Sequence, residues 1–168
     1  MPKIIKIVIS IGLALFLVWL IKTYLINDEK EMYDDSFDRM LESVATVLPV
    51  DNVNESVEFY KRYFGFTLYS IFPDEGEATL AVVERKKLYV MFQDRKVFKE
   101  ENKKYIGGEI DPSFTLLIDI DNAYELYDSL KTKLEVVQEL QLMFYGQLEF
   151  SVRDLDGYII TFSQDIGN

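Results

Sequence analysis

Apolar residues recur at helical spacing in two stretches of this chain that lie seventy residues apart. Both stretches place apolar residues at i, i+4, i+7 and i+11, which is one stripe of an amphipathic helix. The stripes are Val53, Val57, Tyr60 and Phe64 in the first stretch and Ala123, Tyr127, Leu130 and Leu134 in the second. Val50-Asp51-Asn52 precedes the first stripe, and the matching run Ile120-Asp121-Asn122 precedes the second. A repeat of this length predicts two similar supersecondary units with a cleft between them.

The first unit is predicted to contain one strand, one helix and three further strands. β-Branched residues in weak alternation predict a strand over residues 43–50. A helix follows, with Asn54 as its N-cap and Gly65 as its C-terminal stop. The later strands are predicted at 66–71, 78–84 and 88–93, with a turn over 73–76 between the first two.

The second unit repeats this order. A strand is predicted over 114–120, a helix from Asn122 to about Leu134, and strands over 135–143, 147–152 and 158–163. The fold class is therefore α+β, with two βαβββ units (residues 44–93 and 113–164) forming a curved mixed sheet around a shared cleft. Residues 94–112 are charged and contain two adjacent glycines, so we interpret them as a linker within a domain spanning 44–168.

The N-terminus carries an unbroken apolar run over residues 7–21, bracketed by Lys6 and Lys22. Because lysine side chains snorkel, the usable span extends over residues 4–26, which at ~1.5 Å per residue crosses the hydrocarbon core. We therefore predict a single-pass transmembrane anchor over residues 1–26, followed by an acidic tether over residues 27–43.

Two other interpretations of this run stay open. It has the length of a signal-peptide core, although no small-residue cleavage site follows it, and translation could instead start at Met32 or Met40. Flanking lysines and arginine do not decide the orientation of the anchor. The short segment before the apolar run and the acidic segment after it favour a C-terminal domain on the exterior side of the membrane.

The composition of the chain limits the catalytic groups, metal ligands and binding partners that it can have. The chain has no cysteine and no histidine, which removes thiolate catalysis, the commonest general base and the commonest transition-metal ligand. Its formal charge is −11, so nucleic acid is excluded as a partner because phosphate binding needs a basic face. A cationic ligand suits this balance better, although the charge also serves simple solubility.

Two segments resemble the vicinal oxygen chelate superfamily, which includes glyoxalase I, bleomycin-resistance proteins, fosfomycin-resistance enzymes and extradiol dioxygenases. Residues 50–60 followed by Phe64-Gly65-Phe66 resemble the family's first strand and helix. Arg153-Asp154-Leu155-Asp156-Gly157-Tyr158 resembles its Asp-Pro-Asp-Gly hairpin, with Leu155 in place of proline. The resemblance covers residues 44–164 and implies the paired βαβββ fold. It leaves the function open, because one fold hosts many chemistries.

The resemblance also locates the four positions that hold a metal ion in metal-dependent members. They fall on Ala45, Val90, Thr115 and Thr161 in this chain. None of these side chains is a credible ligand for a divalent cation, so we predict no metal and no other cofactor. The resemblance then implies the metal-free, bleomycin-resistance-like branch, whose members bind a ligand without chemistry and typically form homodimers.

Strand alternation predicts which residues would line the cleft. The expected ligand-binding set is Val90, Phe92, Thr115, Leu117, Asp119, Tyr145, Glu149, Thr161 and Ser163. Alternation does not decide whether Glu149 faces the cleft or solvent, and an inward carboxylate would need a cationic ligand or a basic partner. Asp154 and Asp156 lie in a hairpin turn, so we assign them turn chemistry and no catalytic role.

Three functions are compatible with these observations. The first is a membrane-anchored module that binds or sequesters a small cationic or aromatic organic molecule. The second is a lyase or another enzyme of the same superfamily, with acid–base residues that the sequence does not reveal. The third is an interaction protein whose cleft is filled by side chains. A drug-sized ligand needs a cavity above ~300 Å³, so a cavity volume would separate the third function from the others.

Overall fold

The computed structural model describes residues 44–108 and 112–167. Residues 44–168 form one compact unit. The first half contains β1 (Thr46–Val50), α1 (Val53–Phe64), β2 (Thr67–Phe72), β3 (Leu80–Arg85), β4 (Leu88–Asp94) and α2 (Arg95–Asn102). The second half contains β5 (Thr115–Asp119), α3 (Ala123–Leu130), β6 (Glu135–Leu142), β7 (Gln147–Arg153) and β8 (Ile159–Asp165).

The predicted membrane anchor and acidic tether lie outside the described residues. Within 44–108 and 112–167, no helix has both the length and the apolar character to span a bilayer.

The strands form two mixed four-stranded sheets, ordered β1-β4-β3-β2 and β5-β8-β7-β6. In each sheet the first strand pairs in parallel with the last, while the remaining pairs are antiparallel. The predicted α+β class and the repeated βαβββ order are thus confirmed. The expected single curved sheet is instead two sheets, because no ladder joins β1 or β2 to a strand of the second half within the described residues.

The repeated Asp-Asn-x-x-Glu run is a helix-capping device. The Asn52 side chain accepts a hydrogen bond from the backbone N–H of Glu55 at 3.1 Å, and Asn122 does the same for Glu125 at 3.1 Å. The N-cap of α1 is therefore Asn52, and the prediction of Asn54 was wrong. Asn54 lies inside the first turn and accepts instead from the backbone N–H of Ala78 at 2.9 Å, which ties α1 to the β2–β3 connection.

Two predicted boundaries also need correction. The segment expected to be a linker begins with α2, because the Asp94 carboxylate accepts from the backbone N–H groups of Lys96 and Val97 at 2.9 Å and so starts a helix. The second-unit helix stops at Leu130, earlier than predicted. Leu134 lies beyond it but still packs against the core.

One core joins the two halves. All four apolar positions of the α1 stripe are buried. The Tyr60 ring lies 4.8 Å from the Phe92 ring of the first sheet, and the Phe64 ring lies 5.5 Å from the Phe162 ring of the second. Helix α1 therefore contacts the covered side of both sheets, and this burial is the main stabilising contribution to the fold.

The turn between β7 and β8 binds the first half of the chain. Asp154 Oδ1 accepts from the backbone N–H of Asp156 at 3.0 Å and of Tyr158 at 2.8 Å, which is the predicted turn chemistry. Its other oxygen accepts from the Tyr60 hydroxyl at 2.9 Å. Asp156 accepts from the Ser56 hydroxyl at 2.9 Å and from the Asp51 backbone N–H at 2.7 Å. The two aspartates therefore connect the halves.

Candidate ligand-binding site

Within residues 44–108 and 112–167, helices cover one side of each sheet and leave the other side open. On the first sheet, Val90 and Phe92 are 5% and 0% exposed and lie on the covered side, where Phe92 contacts Tyr60 of α1. The structure therefore places these two residues in the core and not with the other predicted site residues. A shift of one residue along a strand reverses the face on which a side chain lies.

The first open face is the uncovered side of the first sheet, and it is rich in apolar and aromatic side chains. Met91 pairs with Val47 of β1 and with Val82 of β3, so these three residues share this face. The rings of Tyr69 and Tyr89 meet on the same face, with centroids 6.3 Å apart. Neither tyrosine is in the predicted ligand-binding set. Simple alternation does not place Tyr69, because β2 contains a register shift between Leu68 and Ser70.

The second open face is the uncovered side of the second sheet, and it brings together most of the predicted site. Thr115, Leu117 and Asp119 of β5 alternate with core-packed isoleucine and leucine, so they point away from the core. Leu117 pairs with Thr161, and Asp119 pairs with Ser163.

Strand β7 completes these rows of the second open face. Glu149 pairs with Ser163, and Ser151 pairs with Thr161. Asp119, Ser163 and Glu149 thus form one cross-strand row, with Leu117, Thr161 and Ser151 in the next.

Glu149 faces this second open face, because Phe150 on the opposite side is fully buried in the core. The Glu149 side chain is nevertheless only 7% exposed. Its Oε2 accepts from the Tyr145 hydroxyl at 3.0 Å, and its Oε1 accepts from the Ser163 hydroxyl at 3.0 Å. The same Ser163 hydroxyl lies 3.1 Å from Gln147 Oε1, so its single proton is shared between two acceptors.

The surroundings of Glu149 are poor in hydrogen-bond donors. A carboxylate offers about four lone-pair sites, and here the side chains supply one phenol and a share of one hydroxyl. No ion pair joins Glu149 to a lysine or arginine among the residues that the structure describes. Burial and the hydrogen bond to Glu149 raise the pKa of Tyr145, which keeps the phenol as a donor at neutral pH. The carboxylate therefore has unused acceptor sites on the second open face, although Glu149 itself is buried.

The four positions that correspond to superfamily metal ligands do not form a metal site. Val90 lies beneath α1, while Ala45 and Thr115 are exposed and carry a methyl group and a hydroxyl. The Thr161 hydroxyl is engaged with the Ser151 hydroxyl at 2.8 Å. Across residues 44–108 and 112–167, no cluster of three or more histidine, cysteine or carboxylate side chains is suited to hold a cation. These residues do not fit a divalent metal ion.

The two open faces look away from the shared core, because the core occupies the covered side of both sheets. Their apolar residues are consequently solvent-exposed: Leu117 is 63% exposed, Tyr69 67% and Phe72 69%. The predicted cleft lined by both halves is thus not closed by the described residues of one chain. A broad depression of about 590 Å³ does exist, but it runs along the outer surface of α1 beside Phe59, Arg62 and Leu155.

Comparison with protein families identifies the fold. A model described as the Glyoxalase/Bleomycin resistance protein/Dioxygenase superfamily matches residues 42–162. The chain belongs to this superfamily. The vicinal oxygen chelate resemblance seen in the sequence is therefore confirmed. Comparison with curated proteins gave no match.

Solved structures show the same fold at low sequence identity. TioX from Micromonospora sp. ML1 is 22% identical, with a TM-score of 0.62, over 74% of this chain and 99% of that one. Hypothetical protein SA1046 from S. aureus is 21% identical, with a TM-score of 0.60, over 78% and 99%. Lactoylglutathione lyase from Agrobacterium tumefaciens is 14% identical, with a TM-score of 0.57, over 73% and 92%. At these identities, the similarity establishes the fold of the superfamily and not the activity.

Proposed function

We propose that this superfamily domain binds and sequesters a small cationic organic molecule with an apolar or aromatic body, without transforming it. The observation that carries this proposal is the buried Glu149 carboxylate, which has unused acceptor sites and no basic partner among the described residues. A buried charge is costly unless an opposite charge or hydrogen-bond donors compensate for it. A ligand ammonium or guanidinium group would supply both.

The residues around Glu149 support an amphipathic ligand. Tyr145 is 47% exposed and Leu117 is 63% exposed, so an aromatic edge and an aliphatic surface are open to contact near the carboxylate. A cation over a tyrosine face gains about 0.5–2 kcal/mol beyond its charge pairing. Thr161 and Ser163 add hydroxyls that orient polar substituents.

We further propose that a second copy of the chain completes the site. The first open face offers Tyr69, Tyr89 and Met91, whereas the second offers carboxylates and hydroxyls. A two-fold dimer that places the first face of one copy over the second face of its partner would bury the exposed aromatics and create two identical pockets. Each pocket would then have an apolar wall and a polar floor.

The membrane location also belongs to this proposal. Residues 4–26 would anchor the domain through a single span, and the acidic segment 27–43 would hold it away from the bilayer, on the exterior side. Carbonate extraction of membranes tests the anchor. The full chain should stay in the pellet, and a chain beginning at residue 27 should move to the supernatant. Equal partition of the two would reject the anchor.

Binding of a cationic aromatic dye, such as ethidium, to the full chain tests the ligand class. Fluorescence titration should show saturable binding that Glu149→Gln weakens at least tenfold, because the variant removes the charge but keeps the shape. Glu75→Gln is the matched control, since Glu75 lies exposed in the β2–β3 connection. An unchanged affinity in Glu149→Gln would refute the assignment. A dye-independent check is native mass spectrometry, in which a retained organic mass supports sequestration and a transformed mass supports the enzyme alternative.

A further inference from the structure

A second cavity, separate from Glu149, lies inside the domain between the two halves. Its volume is about 240 Å³, smaller than the ~300–1,000 Å³ of drug-sized sites. The walls are apolar and come from both halves: Phe64, Phe66, Leu88, Ile118, Ile120, Leu126 and Phe162. Such a space suits a compact side chain and excludes a large ligand.

Charges of both signs stand at the rim of this cavity. Arg85 and Lys86 come from the β3–β4 hairpin, while Asp121 is the residue that precedes the α3 cap. Asp119 also borders the cavity, but its side chain points to the second open face. Within the described part of the chain, no ion pair joins Arg85 or Lys86 to Asp121. Arg85 is held in place by a hydrogen bond from Nη1 to the Gly65 carbonyl at 2.7 Å. The rim therefore offers a cationic side and an anionic side to one small occupant.

Lys86 lies in the two-residue turn of the β3–β4 hairpin, at the mouth of the cavity. Its φ is +55°, in the left-handed region that two-residue hairpin turns require and that glycine adopts without penalty. It is the one non-glycine residue with positive φ among those described. A glycine would make this turn at lower conformational cost, so a lysine here costs some stability and adds a positive charge to the rim.

We infer that this cavity binds a free α-amino acid with an apolar side chain. The ligand carboxylate would face Arg85 and Lys86, and its ammonium group would face Asp121. The apolar side chain would lie among Phe64, Phe66 and Phe162. A zwitterion matches both sides of the rim, whereas a simple carboxylic acid leaves Asp121 without a partner and a simple amine leaves the two basic side chains without one.

Isothermal titration calorimetry of the full chain with L-phenylalanine and L-leucine tests this inference. Two analogues each lack one charge: N-acetyl-L-phenylalanine lacks the ammonium group, and L-phenylalaninamide lacks the carboxylate. We expect at least one of the two amino acids to bind. Each of the two phenylalanine analogues should bind at least tenfold more weakly than L-phenylalanine, or not at all. L-Aspartate should not bind. Absence of binding by both amino acids, or equal binding of the analogues, would overturn the assignment.

Variants separate this site from the proposed cationic-ligand site. Lys86→Gly should raise the melting temperature by a few degrees, because it relieves the left-handed conformation, and should weaken amino-acid binding about tenfold. Asp121→Asn should weaken the same binding by a similar factor. Lys104→Gln is the control, since Lys104 is exposed and does not line the cavity. Unchanged affinity in Lys86→Gly would overturn the role of the lysine.

These measurements test the two proposed sites independently of each other. Glu149→Gln should leave amino-acid binding unchanged, and Lys86→Gly should leave dye binding unchanged. If Glu149→Gln abolished amino-acid binding, the amino acid would occupy the second open face and the cavity assignment would be wrong.

Discussion

At the residue scale, the two carboxylates of Glu149 and Asp154 have different roles although both are buried. Asp154 accepts hydrogen bonds from Tyr60 and from two backbone N–H groups, so its acceptor capacity is largely used within the fold. Glu149 accepts hydrogen bonds only from the Tyr145 phenol and from the shared Ser163 hydroxyl, so most of its acceptor sites are unused. The sequence predicted the turn role of Asp154 from its neighbours. It could not orient Glu149, because that depends on which face of β7 meets the core.

Titration of Asp154 should be visible in the pH dependence of stability. Burial raises the pKa of this carboxyl above its ordinary 3.8, and its hydrogen bonds offset only part of the effect. The folded chain therefore binds this proton more tightly than the unfolded chain. The resulting contribution to the free energy of unfolding is fully present below the pKa that Asp154 has in the unfolded chain. It is lost as the pH rises through the pKa that Asp154 has in the folded chain. Relative to wild type, Asp154→Asn should gain unfolding free energy between pH 3.5 and 7.

Urea denaturation at several pH values measures this difference. Asp74→Asn is the control, because Asp74 is exposed in the β2–β3 connection and its substitution should give a nearly constant offset. A constant offset for Asp154→Asn as well would show that its carboxyl does not titrate differently in the folded chain.

Glutamate substitutions at two of the four metal-equivalent positions should distinguish the covered side of the sheets from the open faces. Thr115 is exposed on the second open face, so Thr115→Glu should cost less than about 0.5 kcal/mol of unfolding free energy. Val90 is 5% exposed beneath α1, so Val90→Glu should cost several kcal/mol or prevent folding. Urea denaturation gives both values. Similar costs at the two sites would contradict the assignment of covered and open faces.

At the element scale, the repeated helix stripe and the Asp-Asn pair before it were readable in the sequence because both are local patterns, whereas the capping role of Asn52 was not predicted. The predicted N-cap of α1 was the wrong asparagine, since Asn52 and Asn54 are both good caps by residue type. Helix α2 was not predicted, because it has only two apolar residues and none of its residues is buried, and it begins where Asp94 caps it. Local signals therefore predicted element types well and their ends less well.

Gly65 is the element boundary that should tolerate substitution least. Its φ is +67°, and a Cβ there would clash with Arg85 Nη1, the group that donates to the Gly65 carbonyl. Gly65→Ala should thus cost about 1–2 kcal/mol for the left-handed conformation, and displacement of Arg85 adds to it. Thermal and urea unfolding measure the loss. Gly107→Ala is the control, because Gly107 has open space around its Cα, and equal losses would contradict the explanation.

At the scale of the whole molecule, the sequence predicted the superfamily fold but placed its cleft inside one chain. The repeat showed that two units exist, and it carried no information on which sides of the sheets meet. The contacts of α1 with Phe92 and Phe162 decide this point, because they place the core on the covered sides and leave both open faces outward. Long-range packing of this kind cannot be read from local spacing.

Dimer formation should depend on the first open face. Tyr69 and Tyr124 are both 67% exposed, but Tyr69 lies on the open face and Tyr124 on α3. Tyr69→Lys should raise the dimer dissociation constant at least tenfold, whereas Tyr124→Lys should leave it within about twofold of wild type. Sedimentation of the full chain in detergent measures both. A monomeric wild-type chain, or equal effects of the two variants, would remove the second copy from the proposed site.

The hydrogen bonds of the β7–β8 turn have a consequence for the integrity of the chain. Asp154 and Asp156 attach to Tyr60, Ser56 and the backbone of residue 51, roughly a hundred positions earlier, so the two halves adhere without relying on the peptide that connects them. A proteolytic nick between α2 and β5 should therefore leave a non-covalent heterodimer of fragments. The same halves, expressed as separate polypeptides, should reassemble by complementation.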